Sequence, residues 1–88
     1  MKVKYYKDTN LTIGKYALMR MMKIFGVATP IERVAEYFKF PKHLVEHWEK
    51  LQTIPDEDAY KIIEILTGEK PEEYVTEKSQ SIDFILNA

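Results

Sequence analysis

The chain contains no cysteine, so disulfide frameworks, thiolate metal centres and cysteine nucleophiles are excluded together. Stability has to come from packing. With three glycines in 88 residues there is no glycine-rich phosphate loop, and no G-x-S-x-G elbow occurs. No apolar run approaches the length of a bilayer span. The segment Met1-Lys2-Val3-Lys4-Tyr5-Tyr6-Lys7 is basic but lacks the apolar stretch and small-residue cleavage site of a signal peptide, which makes the cytoplasm the expected location. A surplus of one charge sign is missing too. Thirteen Lys and Arg oppose fourteen Asp and Glu for a net charge of −1, an unpromising total for a binder of polyanions.

What is present is enough for one domain with one core, since dividing 88 residues would leave each half with too little apolar surface to offset its chain entropy. The composition, 45% hydrophobic and 31% charged, is that of an ordinary globular protein. The distribution of charge is less ordinary. Residues 1 to 50 carry ten basic against five acidic residues, and residues 51 to 88 carry three against nine, about +5 and −6. Two readings stay open for the acidic half: a functional polarity, or a solvated face together with helix-capping acids.

Val3 and Tyr5 alternate with Lys2 and Lys4 before the turn residues Asp8-Thr9-Asn10, so residues 1–10 read as a short strand or arm. Thr12 is the expected N-cap of a first helix carrying Leu18, Met21, Met22 and Phe25 inward and ending at Gly26; Gly14 weakens its start and allows the boundary to slip by a turn. Thr29-Pro30-Ile31-Glu32 combines an N-cap, a proline at the first helical position and a glutamate in capping-box register. This second helix runs to Phe38 with Ile31, Val34, Ala35 and Phe38 on its inner face. Lys39-Phe40 forms the turn, and Pro41 opens a third helix whose Leu44, Val45 and Trp48 point inward. Asp56-Glu57-Asp58 starts a fourth helix with the stripe Ala59, Ile62, Ile63 and Leu66, closed by Gly68. In the tail, residues 71–88, Tyr74-Val75 and Ile82 to Leu86 fit strands or a last amphipathic helix. The apolar Ile82, Phe84, Ile85 and Leu86 are expected to pack on the domain or to form a dimer contact. The fold class is therefore mainly α: a small bundle of four to five helices with a helix-turn-helix and a minor β element from the two termini.

The segment from Pro30 to Glu49 has the residue classes a helix-turn-helix needs: small Ala35 where the second helix crosses the first, apolar Val34, Phe38 and Phe40 around the turn, and Val45 and Trp48 as anchors. Together with Ile24-Phe25-Gly26 before it, and Ile54-Pro55, Ile63-Glu64 and Leu66-Thr67-Gly68 after it, this segment resembles the Cro-like helix-turn-helix family, which includes the YdaS-like regulators of prophages. The resemblance covers about Ala17 to Tyr74. It departs at the turn, where the family usually has glycine and this chain has Lys39, which implies a wider turn.

The resemblance implies a transcriptional regulator of phage-repressor type that binds duplex DNA as a homodimer. In that reading Lys42, His43, Glu46, His47 and Lys50 face the bases of the major groove, while Thr29, Arg33 and Lys39 position phosphates and Lys2, Lys4 and Lys7 are candidates for a basic arm. The alternative is a protein-interaction module of the same shape, in phage assembly or as an antitoxin-like partner. Such a module should expose an apolar patch where a DNA binder shows Lys42 and Lys50 beside Arg33. His43-Leu44-Val45-Glu46-His47 also spells H-x-x-E-H, the inverted zinc-protease motif. A hydrolytic centre needs a third ligand and a cleft that so small a bundle has little room for, so no enzyme and no cofactor are expected, and incidental metal binding by the exposed pair is the milder reading.

Overall fold

The computed structural model describes residues 2–24 and 30–79. Strand β1 (Lys2–Tyr6) is followed by helices α1 (Ile13–Lys23), α2 (Ile31–Phe38), α3 (Lys42–Leu51), α4 (Asp56–Thr67) and the single turn α5 (Pro71–Tyr74), then by strand β2 (Val75–Ser79). The mainly helical class with a small β element is what the sequence predicts. Thr29, proposed as a helix N-cap and phosphate contact, lies outside the described residues, as do Phe25, Gly26 and the apolar set Ile82, Phe84, Ile85 and Leu86.

β1 and β2 pair antiparallel, from Lys2 opposite Ser79 to Tyr6 opposite Val75. The basic N-terminal segment is thus sewn into a ribbon. Lys2 Nζ lies 3.9 Å from the Glu77 carboxylate and Lys7 Nζ donates to Glu69 at 2.8 Å, while Lys4 sits 5.8 Å above the Tyr60 ring. A free basic arm made of Lys2, Lys4 and Lys7 is excluded by these contacts. Two ion pairs, Lys2 with Glu77 and Lys7 with Glu69, thus join the basic half of the sequence to the acidic half.

Local chemistry explains the helix ends. The Thr12 hydroxyl accepts from the Lys15 N–H, capping α1 where expected. The start does not slip, because Gly14 has a tertiary role: a Cβ there would collide with the Ile54 carbonyl and the Thr53 hydroxyl. Absence of a side chain is what lets α1 approach that backbone. At Pro30 and Pro41 the expectation needs correction by one residue, since both are N-caps with extended ψ (142° and 139°) rather than first helical residues. Each proline carbonyl then accepts the first N–H groups of its helix, from Arg33 and Val34 and from Leu44 and Val45. Glu32 is consequently out of capping-box register. α4 ends as predicted, on Gly68 at φ 77° with its N–H bonded to the Glu64 carbonyl.

One hydrophobic cluster unites the elements: Ile13, Ala17 and Met21 of α1, Val34, Ala35 and Phe38 of α2, Val45 and Trp48 of α3, and Ala59, Ile62 and Ile63 of α4 are all buried. Tyr6, Tyr16 and Tyr74 close it on the sheet side. The rings of Tyr6 and Tyr16 stack at 3.6 Å, and Tyr74 lies 5.2 Å from Tyr6. Ala35 and Trp48 are 4% and 1% exposed, so the two positions on which the motif depends are in the core.

Candidate nucleic-acid interface

α2 and α3 pack on one another, and the link between them is Lys39-Phe40-Pro41. Lys39 takes the left-handed conformation, φ 62° and ψ 41°, so the turn is tight and the wider turn expected from the missing glycine is not formed. Its N–H bonds to the Glu36 carbonyl and that of Phe40 to the Ala35 carbonyl, the paired bonds of a Schellman ending. Phe40 folds back so that its ring meets Trp48 edge-on at 5.0 Å. That contact and the two hydrogen bonds offset the about 1–2 kcal/mol which a Cβ costs in the left-handed region. α3 ends the same way. Gln52 has φ 59°, with Gln52 N–H to Glu49 and Thr53 N–H to Trp48.

The buried face of α3, Val45 and Trp48, fixes which residues point away. Lys42, His43, His47 and Lys50 are exposed and Glu46 is half-buried; Arg33 of α2 and Lys39 of the turn are exposed as well. The structure therefore gathers the five proposed base readers on one helix face, as the helical period of 3.6 residues required. It also adds a contact that local spacing could not reveal. Lys42 Nζ lies 2.7 Å from a carboxylate oxygen of Glu32 and 3.8 Å from one of Glu46. Its hydrogen bond from Lys42 holds the Glu32 carboxyl below the usual range, and the same bond pushes the Lys42 ammonium above its usual value. Glu32 was assigned to the cap of α2; its partner became visible only when α3 crossed the start of that helix.

Charge on the unit is balanced. Between Pro30 and Leu51, Arg33, Lys39, Lys42 and Lys50 face Glu32, Glu36, Glu46 and Glu49. The basic surplus of the first half therefore lies in residues 1–29, on β1 and α1. On α1, Lys15 and Lys23 flank an open groove of about 850 Å³ floored by Leu18, Met19, Met22 and Ile31. Met21 belongs to the core, whereas Met19 and Met22 are half-buried at that groove.

Three His, Asp or Glu side chains able to hold one metal ion do not converge anywhere among the described residues. No helix there is long and apolar enough to cross a membrane. In comparisons with known proteins, no family model matched the chain, and no similar characterised protein or solved structure was found.

Proposed function

We propose that the domain binds duplex DNA as a cytoplasmic transcriptional regulator of phage-repressor type, with α3 in the major groove. The observation that carries this reading is the α2–α3 unit: two short helices sharing one core across a tight turn, with Lys42, His43, Glu46, His47 and Lys50 on the face that the core leaves open. Lysine can address guanine, glutamate can accept from cytosine N4, and histidine can donate or accept. Arg33 and Lys39 flank that face as phosphate contacts. A homodimer is part of the proposal, because one helix reads only a few base pairs and symmetric half-sites multiply specificity. The Glu32–Lys42 pair then acts as a brake on one reader: the lysine must leave its carboxylate before it meets a base.

The balanced charge of the unit favours a second reading, a protein-interaction module of the same shape. Tyr37 on α2 and Leu51 at the end of α3 expose half or more of their surface, 50% and 56%.

Selection from a random duplex library at low salt separates the two. The DNA reading expects an enriched motif and an affinity that falls steeply with salt as condensed counterions are released. Lys39→Ala should weaken binding to all sequences alike and flatten the salt slope, whereas Glu32→Gln should strengthen binding by freeing Lys42. A library that enriches nothing, with no salt-dependent affinity, refutes this reading in favour of a protein partner.

A further inference from the structure

The chain has two histidines, and both lie on α3, four residues apart. In an α-helix that spacing stacks two side chains on one face, about 5–6 Å between Cβ atoms, close enough for two imidazoles to share one ion. We propose that His43 and His47 form a two-nitrogen chelate for a borderline divalent transition metal of the zinc, nickel or copper class. The site stands whether or not α3 meets DNA.

Three features of the surroundings support it. Both side chains are exposed, and neither ring makes a hydrogen bond or ion pair among the described residues, so binding an ion sacrifices no contact of the fold. The charge beside the pair suits a dication better than the residue types alone suggest. Lys42, the cation preceding His43, is held by Glu32 and Glu46, and Glu46 and Glu49 bring two carboxylates to the same helix, which offsets Lys50 and the positive end of the helix dipole. Imidazole is a preferred ligand of these metals, whereas magnesium and calcium demand oxygen donors, so the class of ion is selective.

Two nitrogens fill half of a tetrahedral shell, and water completes the rest. The site is neither a closed structural centre nor the three-ligand arrangement of a hydrolase. Its consequence is thermodynamic. The two rings are held in register only while α3 is helical, so an ion that uses both binds the folded chain in preference to the unfolded one and raises its stability with the logarithm of ion concentration above the dissociation constant.

The experiment is a titration of the full chain with zinc or nickel ions alone, read by thermal unfolding and by the ring signals of the two histidines in NMR spectra. The unfolding temperature should climb with ion concentration, and both rings should respond at the same ion concentrations. His43→Ala and His47→Ala, each at an exposed position, should lower the affinity by about tenfold or more. The double variant His43→Ala with Glu49→His keeps two histidines but sets them two residues apart on different faces, and should behave like the single variants. Unfolding that ignores about a millimolar of either ion, or a rise that survives unchanged in the one-histidine variants, would overturn the proposal.

Discussion

In the region built from β1, β2 and the helices beneath them, charge works inward: Lys2 meets Glu77, Lys7 meets Glu69, and the Tyr6 hydroxyl donates to the other Glu69 oxygen at 3.0 Å. In the α2–α3 unit it works outward, with Lys39, His43, His47 and Lys50 exposed and Lys42 held in its ion pair. The aromatic chemistry differs in the same sense. The sheet side is sealed by stacked tyrosines whose hydroxyls need partners, and the helix-turn-helix by Phe38, Phe40 and Trp48, which place no titrating group in the core. One region thus uses polar groups to close the chain on itself. The other meets its packing needs with apolar groups and leaves Lys39, His43, His47 and Lys50 exposed.

The strongest way to break this comparison is at the joint between the regions. Gly14→Ala forces a Cβ into the Thr53-Ile54 backbone, which no side-chain rotation relieves, and should cost about 2–3 kcal/mol in urea unfolding through overpacking. A smaller loss would mean that α1 stands further from that loop than the structure has it.

A pH titration should tell the regions apart. Hydrogen bonds from Lys7 and then from Tyr6 hold the Glu69 carboxyl below its ordinary value. A depressed folded value contributes stability that is present above the unfolded value and lost as pH falls through the folded one, so the sheet side should loosen below about pH 4. Lys7→Ala should flatten that acid limb. Glu32 follows the same sign through Lys42, so an acid transition also reaches the helix-turn-helix. Alkali is more selective. Burial pushes the Tyr6 hydroxyl up, with Tyr16 adding to it, and pushes that of Tyr74 up to about 12. Raised values give stability that is present below the unfolded value, near pH 10, and is lost as pH rises past it. The part of the tyrosinate absorbance that Tyr6→Phe and Tyr74→Phe remove, which reports the sheet side, should therefore rise later than in free tyrosine and together with unfolding. Fluorescence of Trp48, the single tryptophan, reports the other region.

Smaller effects sharpen the contrast. Lys39→Gly should stabilise by about 0.5–1 kcal/mol, the relief of a left-handed Cβ less the extra entropy of glycine. If thermal unfolding is unchanged or earlier, the lysine stem makes a packing contribution that outweighs the strain. The Tyr74 hydroxyl is buried without a hydrogen-bond partner among the described residues. Tyr74→Phe should accordingly leave stability unchanged or raise it by up to about 1 kcal/mol, since no bond is lost and a desolvated hydroxyl is removed. A clear loss would reveal a partner such as bound water.

What could be read from the sequence by itself was whatever depends on neighbours within a turn or two. The apolar stripes Val34-Ala35-Phe38, Val45-Trp48 and Ala59-Ile62-Ile63 specify helices and their inner faces, because period 3.6 sets both at once. Thr12 and Gly68 mark helix ends for equally local reasons, and the outward set of α3 follows from its inward one. Tertiary structure decided what depends on residues distant in sequence. Gly14 looked like a weak helix start and proved to be a point of close approach, and Lys39 could hold a left-handed turn because Phe40 had Trp48 to pack against. Lys2 and Lys7 of the N-terminal segment met glutamates more than sixty residues away, so part of the visible polarity of charge became internal pairing. Lys42 found Glu32 only through the crossing of two helices. Local periodicity fixes which way a side chain points, and long-range geometry fixes what it meets.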